Sequence, residues 1–290
     1  MDRKEFLKFI SLLPLTTSVM KANALNALSE LPDTSFTMPV VFLGHGSPMN
    51  ALEKNEFSDG WRQISRNIPL PKAILCISAH WETNGVFVTA MDKPKTIHDF
   101  GGFPKELFEV QYPAKGSPEL AQETQKFVKL KDVKTDFSWG LDHGSWSVLM
   151  HLYPLANVPV VQLSLDYNMK PADHYNLARQ LQPLRKKGIL ILGSGNMVHN
   201  LPMMNWKSSG GFEWAETANR KMKDLIADGN HPALMNYSQQ GNEFRLSIPT
   251  AEHYLPLLYI LALKKEKENI RFFNDKTILG SISMTSLIIS

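Results

Sequence analysis

Cysteine is almost absent from this sequence: Cys76 is the one thiol in 290 residues. That excludes an internal disulfide framework and any multi-cysteine zinc site. A metal bound here must be held by the nine histidines and the carboxylates. Excess charge is lacking too. The net charge is +3, and residues 1–24 hold Arg3, Lys4, Lys8 and Lys21 against Asp2 and Glu5, so the remainder is close to neutral. No nucleic-acid partner is expected from such a balance. The apolar run at 9–20 is too short to span a bilayer and is interrupted by Pro14, so stable membrane insertion is not expected either. With 43% hydrophobic residues and neither repeats nor low-complexity tracts, the composition is that of an ordinary globular protein.

The N-terminus has its own character. A basic head, a short apolar stretch and Ala22-Asn23-Ala24 follow one another in the order of an export signal cleaved after Ala24. Arg3-Lys4-x-Phe6-Leu7-Lys8 resembles the twin-arginine motif, with lysine in place of the second arginine. Export to the periplasm is the expectation, and its rival is an extension retained on a cytoplasmic protein. Residues 25–37, polar and containing Pro32, read as a linker. Residues 1–37 thus form a signal-like segment and linker, and 38–290 form one domain.

Within 38–290, four short apolar runs at 40–43, 73–77, 158–163 and 188–192 suit strands buried on both faces. Helical patterns at about 57–67, 118–129, 172–186 and 213–228 alternate with them, Pro118 and Pro171 standing at early-helix positions. The alternation predicts an α/β fold, a single domain with a mostly parallel central sheet flanked by helices. The stretch 277–289 reads as a last strand, at an edge.

Histidines fall where such a fold places ligands. His45 follows the first strand in Leu-Gly-His-Gly-Ser-Pro, His80 the second in Ser-Ala-His-Trp, and His199 the fourth in Gly-Ser-Gly-Asn-Met-Val-His-Asn. Carboxyl ends of parallel strands open into the ligand crevice. Three imidazoles therefore converge there, and a metal is the first chemical reading. Gly44, Gly46, Gly193 and Gly195 read as turns that aim these side chains. Glu252 or His253, just before a helix expected to start near 255, could complete the site. His143 beside Asp142 suits acid/base work, with Asp142 as orienter or as helix cap. His98, Phe100 and Phe103, around Gly101-Gly102, suit a lid over a flat substrate. His151, His174, His231 and Cys76 read as structural.

Six segments carry a resemblance: 43–50, 78–81, His-Asp-Phe-Gly-Gly-Phe-Pro at 98–104, Leu-Asp-His-Gly-Ser-Trp at 141–146, 193–200 and Pro-Thr-Ala-Glu-His-Tyr at 249–254. In this order they resemble the class III extradiol ring-cleavage dioxygenases, and within them the DOPA 4,5-dioxygenase type, related to the catalytic subunit of protocatechuate 4,5-dioxygenase. The resemblance covers about 38–262. It implies one mononuclear divalent ion, Fe(II) or Zn(II), at the strand ends. His45 and His80 fall on ligand positions, His253 on the third with Glu252 as its rival, and His199 is a further ligand or the acid/base group. His143 falls beside the substrate, and Phe100, Phe103 and Trp146 supply apolar walls. The implied partners are a catechol and dioxygen, and the expected product is a muconic semialdehyde. A monomer or small homo-oligomer is expected. A zinc hydrolase and a non-catalytic metal- or catechol-binding protein are the rival functions.

Overall fold

The computed structural model describes residues 33–290, so the signal-like segment before Asp33 lies outside the described residues. Six strands build the central sheet: β1 (Val40–Gly44), β2 (Ala73–Ser78), β3 (Val160–Gln162), β4 (Ile189–Gly195), β5 (Ile270–Phe273) and β6 (Ser286–Ile289). Their spatial order is β3-β2-β4-β1-β6-β5. β3, β2, β4 and β1 are mutually parallel, and β6 and β5 close the sheet antiparallel.

Alternate residues of each strand feed two apolar layers. Phe42, Leu75, Ile77, Ile191 and Leu287 face one side, while Val41, Leu43, Ile74, Cys76, Leu192 and Ile288 face the other. The first side is covered by α4 (Pro171–Arg179), α6 (Glu213–Ala227) and α7 (Leu255–Ala262), and the second by α1 (Glu56–Ser65) and α3 (His143–Leu152). Burial on both faces explains why the strands read as continuous apolar runs rather than alternating ones. On the first side, α2 (Pro118–Phe127) starts at the Ser117 cap, its Pro118 needing no N–H there.

Two expectations are corrected. The helical pattern at 172–186 is two helices, α4 and α5 (Gln182–Lys186), because Pro183 cannot donate the hydrogen bond a continuous helix requires. The stretch 277–289 is not one edge strand. Thr277–Ile278 and Ile282–Ser283 form a small hairpin, β6 lies inside the sheet, and the edge is β5, whose half-exposed Ile-Arg-Phe-Phe gave no clear signal. No helix among the described residues is long and apolar enough to cross a membrane.

Candidate metal centre

Strand β4 lies between β2 and β1, and its carboxyl end fixes the neighbouring chain segments. The His45 N–H donates to the Gly195 carbonyl at 3.1 Å, the Ala79 N–H to Ser194 at 3.0 Å, and the Asn196 N–H to the His253 carbonyl at 2.8 Å. Three glycines expected as turns are strand residues instead. A Cβ on Gly195 would lie 2.2 Å from the His253 carbonyl oxygen, one on Gly193 2.6 Å from that of Pro256, and one on Gly44 2.7 Å from the Met284 backbone. Their missing side chains let α7's approach and the 253 turn pack onto the sheet. Gly46, at φ +59°, is the glycine that turns the chain beside His45.

Hydrogen bonds fix which nitrogen of each ring carries its proton. The Ser194 hydroxyl donates its one proton to the Gly144 carbonyl, so at 3.0 Å it must accept from His45 Nδ1. His80 Nδ1 lies 3.4 Å from the Asp99 carboxylate, and His253 Nδ1 lies 3.1 Å from Glu252 Oε1. In His45 and His253 the proton therefore sits on Nδ1 and Nε2 keeps its lone pair, the arrangement that carboxylate or hydroxyl partners impose on metal-binding histidines, and Asp99 faces the same nitrogen of His80. The Nε2 atoms of His45 and His80 stand 3.2 Å apart. With both rings protonated on Nδ1, two lone pairs at that distance would bracket a cation.

Ring spacing supports the same fit. Around a tetrahedral ion with bonds of about 2.05 Å, two nitrogens lie about 3.3 Å apart and two ring centres about 5.2 Å apart. The ring centroids of His45, His80 and His253 are separated by 5.0, 5.3 and 5.0 Å. His199 stands differently. It stacks on His253 with centroids 3.5 Å apart and planes 8° from parallel. A nitrogen lone pair lies in its ring plane, so one ion cannot lie in both of these planes.

Burial, and then the other histidines, hold His45 and His253 well below the usual imidazole range. His80 is lowered to about 3 by burial and then by His143, against the pull of Asp99 and Glu252. His199 is lowered to about 4, chiefly by burial, with Glu252 opposing. The floor of the site is therefore neutral imidazole at neutral pH, the form that binds metal.

The cavity over these rings measures about 360 Å³ and is lined by His45, His80, His143, His199 and His253, and also by Asp99, Phe100 and Phe103. His143 is the first residue of α3, but Asp142 does not orient it: Asp142 caps the helix at Ser145 N and accepts from Ser78 and Gln162. The partner of His143 is Asp99, which accepts from its Nδ1 at 2.9 Å and its backbone N–H at 2.8 Å. Burial works to raise the Asp99 pKa, but the His143 hydrogen bonds hold it below the ordinary value. Asp99 was overlooked in the sequence, although it sits inside His-Asp-Phe-Gly-Gly-Phe-Pro.

Two expected site residues, His98 and Trp146, lie off the cavity lining. His98 Nε2 donates to the Val110 carbonyl at 3.0 Å, and the ring does not line the cavity. A ring nitrogen facing a carbonyl must carry the proton, so His98 anchors the loop instead. Trp146 is fully buried behind Phe100, its indole N–H on the Ile97 carbonyl. Glu252, the rival ligand, accepts from Thr250 and from His253 Nδ1, and its carboxylate lies within 4.8 Å of ligand atoms of His199 and His253. His151, His174 and His231 are structural, bonded to the Asn50 carbonyl, the Tyr259 hydroxyl and the Tyr175 hydroxyl. Leu201, Met204, Trp206, Ile278 and Ile282 complete the cavity wall and carried no sequence signal.

Comparison with known proteins places this arrangement. The chain is 45% identical over 260 residues to a 4,5-DOPA dioxygenase extradiol of Escherichia coli (strain K12), covering 88% of this chain and 95% of that one. It is 38% identical to a protein of the same name from Beta vulgaris, over 84% and 94% of the two chains. The crystal structure of an uncharacterized protein from Escherichia coli K12 superposes with a TM-score of 0.77 at 41% identity, covering 87% of this chain and all of that one. Residues 38–278 match the model of the catalytic LigB subunit of aromatic ring-opening dioxygenase. The chain therefore belongs to the LigB family of aromatic ring-opening dioxygenases.

Proposed function

We propose that this protein opens a catechol ring beside its two hydroxyls with dioxygen, giving a muconic semialdehyde, and that the substrate is a DOPA-like or other catechol. The carrying observation is the cluster of imidazoles at the floor of a cavity with aromatic walls, where His45, His80 and His143 bring ligand atoms within 4.8 Å of one another and the His253 ring lies 5.0–5.3 Å from those of His45 and His80. One mononuclear Fe(II) held by these rings, when bound, supplies a place where the catechol oxygens gain acidity and dioxygen meets the ring. Zinc in the same nitrogens would hold a catechol without the redox step, so iron is the ion we assign to turnover.

His199, outside the plane that would ligate and largely neutral near pH 7, is the base that takes a catechol hydroxyl proton. His143 keeps its Nδ1 proton on Asp99 and presents Nε2 to the cavity, where it positions the substrate hydroxyl and passes a proton. Phe100 and Phe103, packed edge to face at 5.4 Å, wall the ring plane and exclude water.

The test loads metal-free protein with Fe(II) under nitrogen, adds DOPA or unsubstituted catechol in aerated buffer, and follows oxygen uptake with the visible spectrum. Equimolar uptake with a yellow product is expected. No uptake across a catechol panel, with zinc tightly retained, would return the hydrolase or the binding protein as the reading. The N-terminal layout supports export of the protein, for which a mature chain starting at Leu25 by mass spectrometry is the expected outcome.

A further inference from the structure

The cavity changes character with depth. Its floor is buried imidazole, with His45 and His253 1% and 8% exposed. Beyond the Phe100 and Phe103 walls, its mouth is aliphatic or indole: Ile282 is buried, Met204 and Ile278 are half-buried, and Leu201 and Trp206 are 54% and 71% exposed. No lysine or arginine is among the described residues that line it, and its one carboxylate, Asp99, is already held by His143.

This mouth is a built surface. The loop carrying Leu201, Met204 and Trp206 is tied to the 277–283 hairpin by Asn205 N–H on the Leu279 carbonyl at 2.8 Å and Asn200 N–H on the Ser281 carbonyl at 3.1 Å. The Ser281 hydroxyl donates back to the Asn200 carbonyl at 2.7 Å. At the hairpin tip Leu279 takes φ +52° and Gly280 φ +78°, the left-handed region that a leucine rarely adopts. Leu279 itself lines the cavity. Backbone held in that region tends to mark a ligand clamp or another functional site.

We infer that the mouth is a subsite for an apolar substituent on the catechol ring, and that the preferred substrates are 4-alkyl or 4-aryl catechols rather than ring carboxylates. The inference rests on the ring-cleavage reading above and specifies its substrate. With both hydroxyls on the floor, the opposite edge of the ring points out toward Met204, Ile278 and Trp206. An alkyl or aryl group there leaves water for an apolar wall. A carboxylate attached directly to the ring is carried into the same wall without a cation to meet it, and burying an unpaired charge is strongly unfavourable. The amino-acid end of DOPA, on its longer tether, reaches solvent at the mouth and gains little from the subsite.

The experiment compares kcat/KM of the Fe(II)-loaded protein for catechol, 4-methylcatechol, 4-propylcatechol, DOPA and protocatechuate. The expected result is 4-propylcatechol above 4-methylcatechol by about tenfold, roughly threefold per methylene, with protocatechuate lowest. Dissociation constants for the same compounds on the zinc-loaded protein, which does not turn over, should follow the same order. Trp206→Ala should lower the ratio of 4-propylcatechol to unsubstituted catechol, and Leu201→Arg should raise DOPA and protocatechuate relative to 4-propylcatechol. Cleavage of all five compounds with protocatechuate first, or with no dependence on chain length, overturns the apolar subsite and leaves the ring-cleavage reading standing. Failure to cleave any of them removes that reading, and the subsite with it.

Discussion

The floor and the mouth of the cavity are built by opposite means. On the floor, His45 and His80 come from the ends of the two strands that flank β4 and His253 from a turn, and each has its second nitrogen facing Ser194, Asp99 or Glu252. The mouth comes from the 201–206 loop and the 277–283 hairpin, which line it with apolar side chains and are joined by backbone hydrogen bonds. The difference teaches where this fold tolerates change. Orientation on the floor is determined several times over, while the mouth is fixed in backbone and free in side chain.

The sharpest way to break this contrast is to remove a floor nitrogen. His45→Ala, His80→Ala or His253→Ala should abolish metal binding and depress activity by more than the roughly 10–100-fold expected for an outer partner. Metal analysis after dialysis checks this, and stoichiometric metal in all three variants would dissolve the distinction. Asp99→Asn comes next, with about 10–100-fold weaker metal retention or activity, measured by chelator competition. Asn cannot serve His80 and His143 as a carboxylate does, so both readouts should move together.

Acid should reach the floor before the rest of the molecule. His80 and His199 titrate at about 3 and about 4 when folded, below the value of about 6.5 in an unfolded chain. Between those limits the unfolded chain takes up protons that the folded one refuses, so stability is complete above about 6.5 and is lost as pH falls toward 4 and then 3. For metal-free protein the urea midpoint should drop between pH 7 and pH 5 by the equivalent of a few kcal/mol. A flat profile would mean that the floor rings are not held neutral by the fold. Gly195→Ala tests the packing beneath them: a methyl 2.2 Å from the His253 carbonyl should lower stability by about 1–3 kcal/mol, read as a lower Tm. The smallest effect belongs to the mouth, where Trp206→Ala should leave stability within about 0.5 kcal/mol.

What could be read from the sequence follows the same division. β1, β2 and β4 were legible because strands buried on both faces leave uninterrupted apolar runs, and the histidines after them inherit that position. The partner of His143 was not legible. Asp142 is its neighbour in the chain, but Asp99 is its neighbour in space, and only tertiary packing chooses between them. The glycines were misjudged because a turn and a close approach both require glycine. Met204, Trp206 and Ile278 carried no pattern, since a cavity mouth has no periodicity.

The floor has a consequence for assembly. Its nitrogens come from residues 45, 80 and 253, and the groups that aim them from 99, 194 and 252, so the site has no local version. Contacts of such long sequence separation form only after the loops between them have closed. A chain halted before residue 253 would own two of the three rings and have nothing to hold an ion with them in register. An ion that binds the finished set stabilises the completed topology and no partial one. Metal uptake during refolding thus marks the moment at which the turn carrying His253 docks beside the ends of β1 and β2.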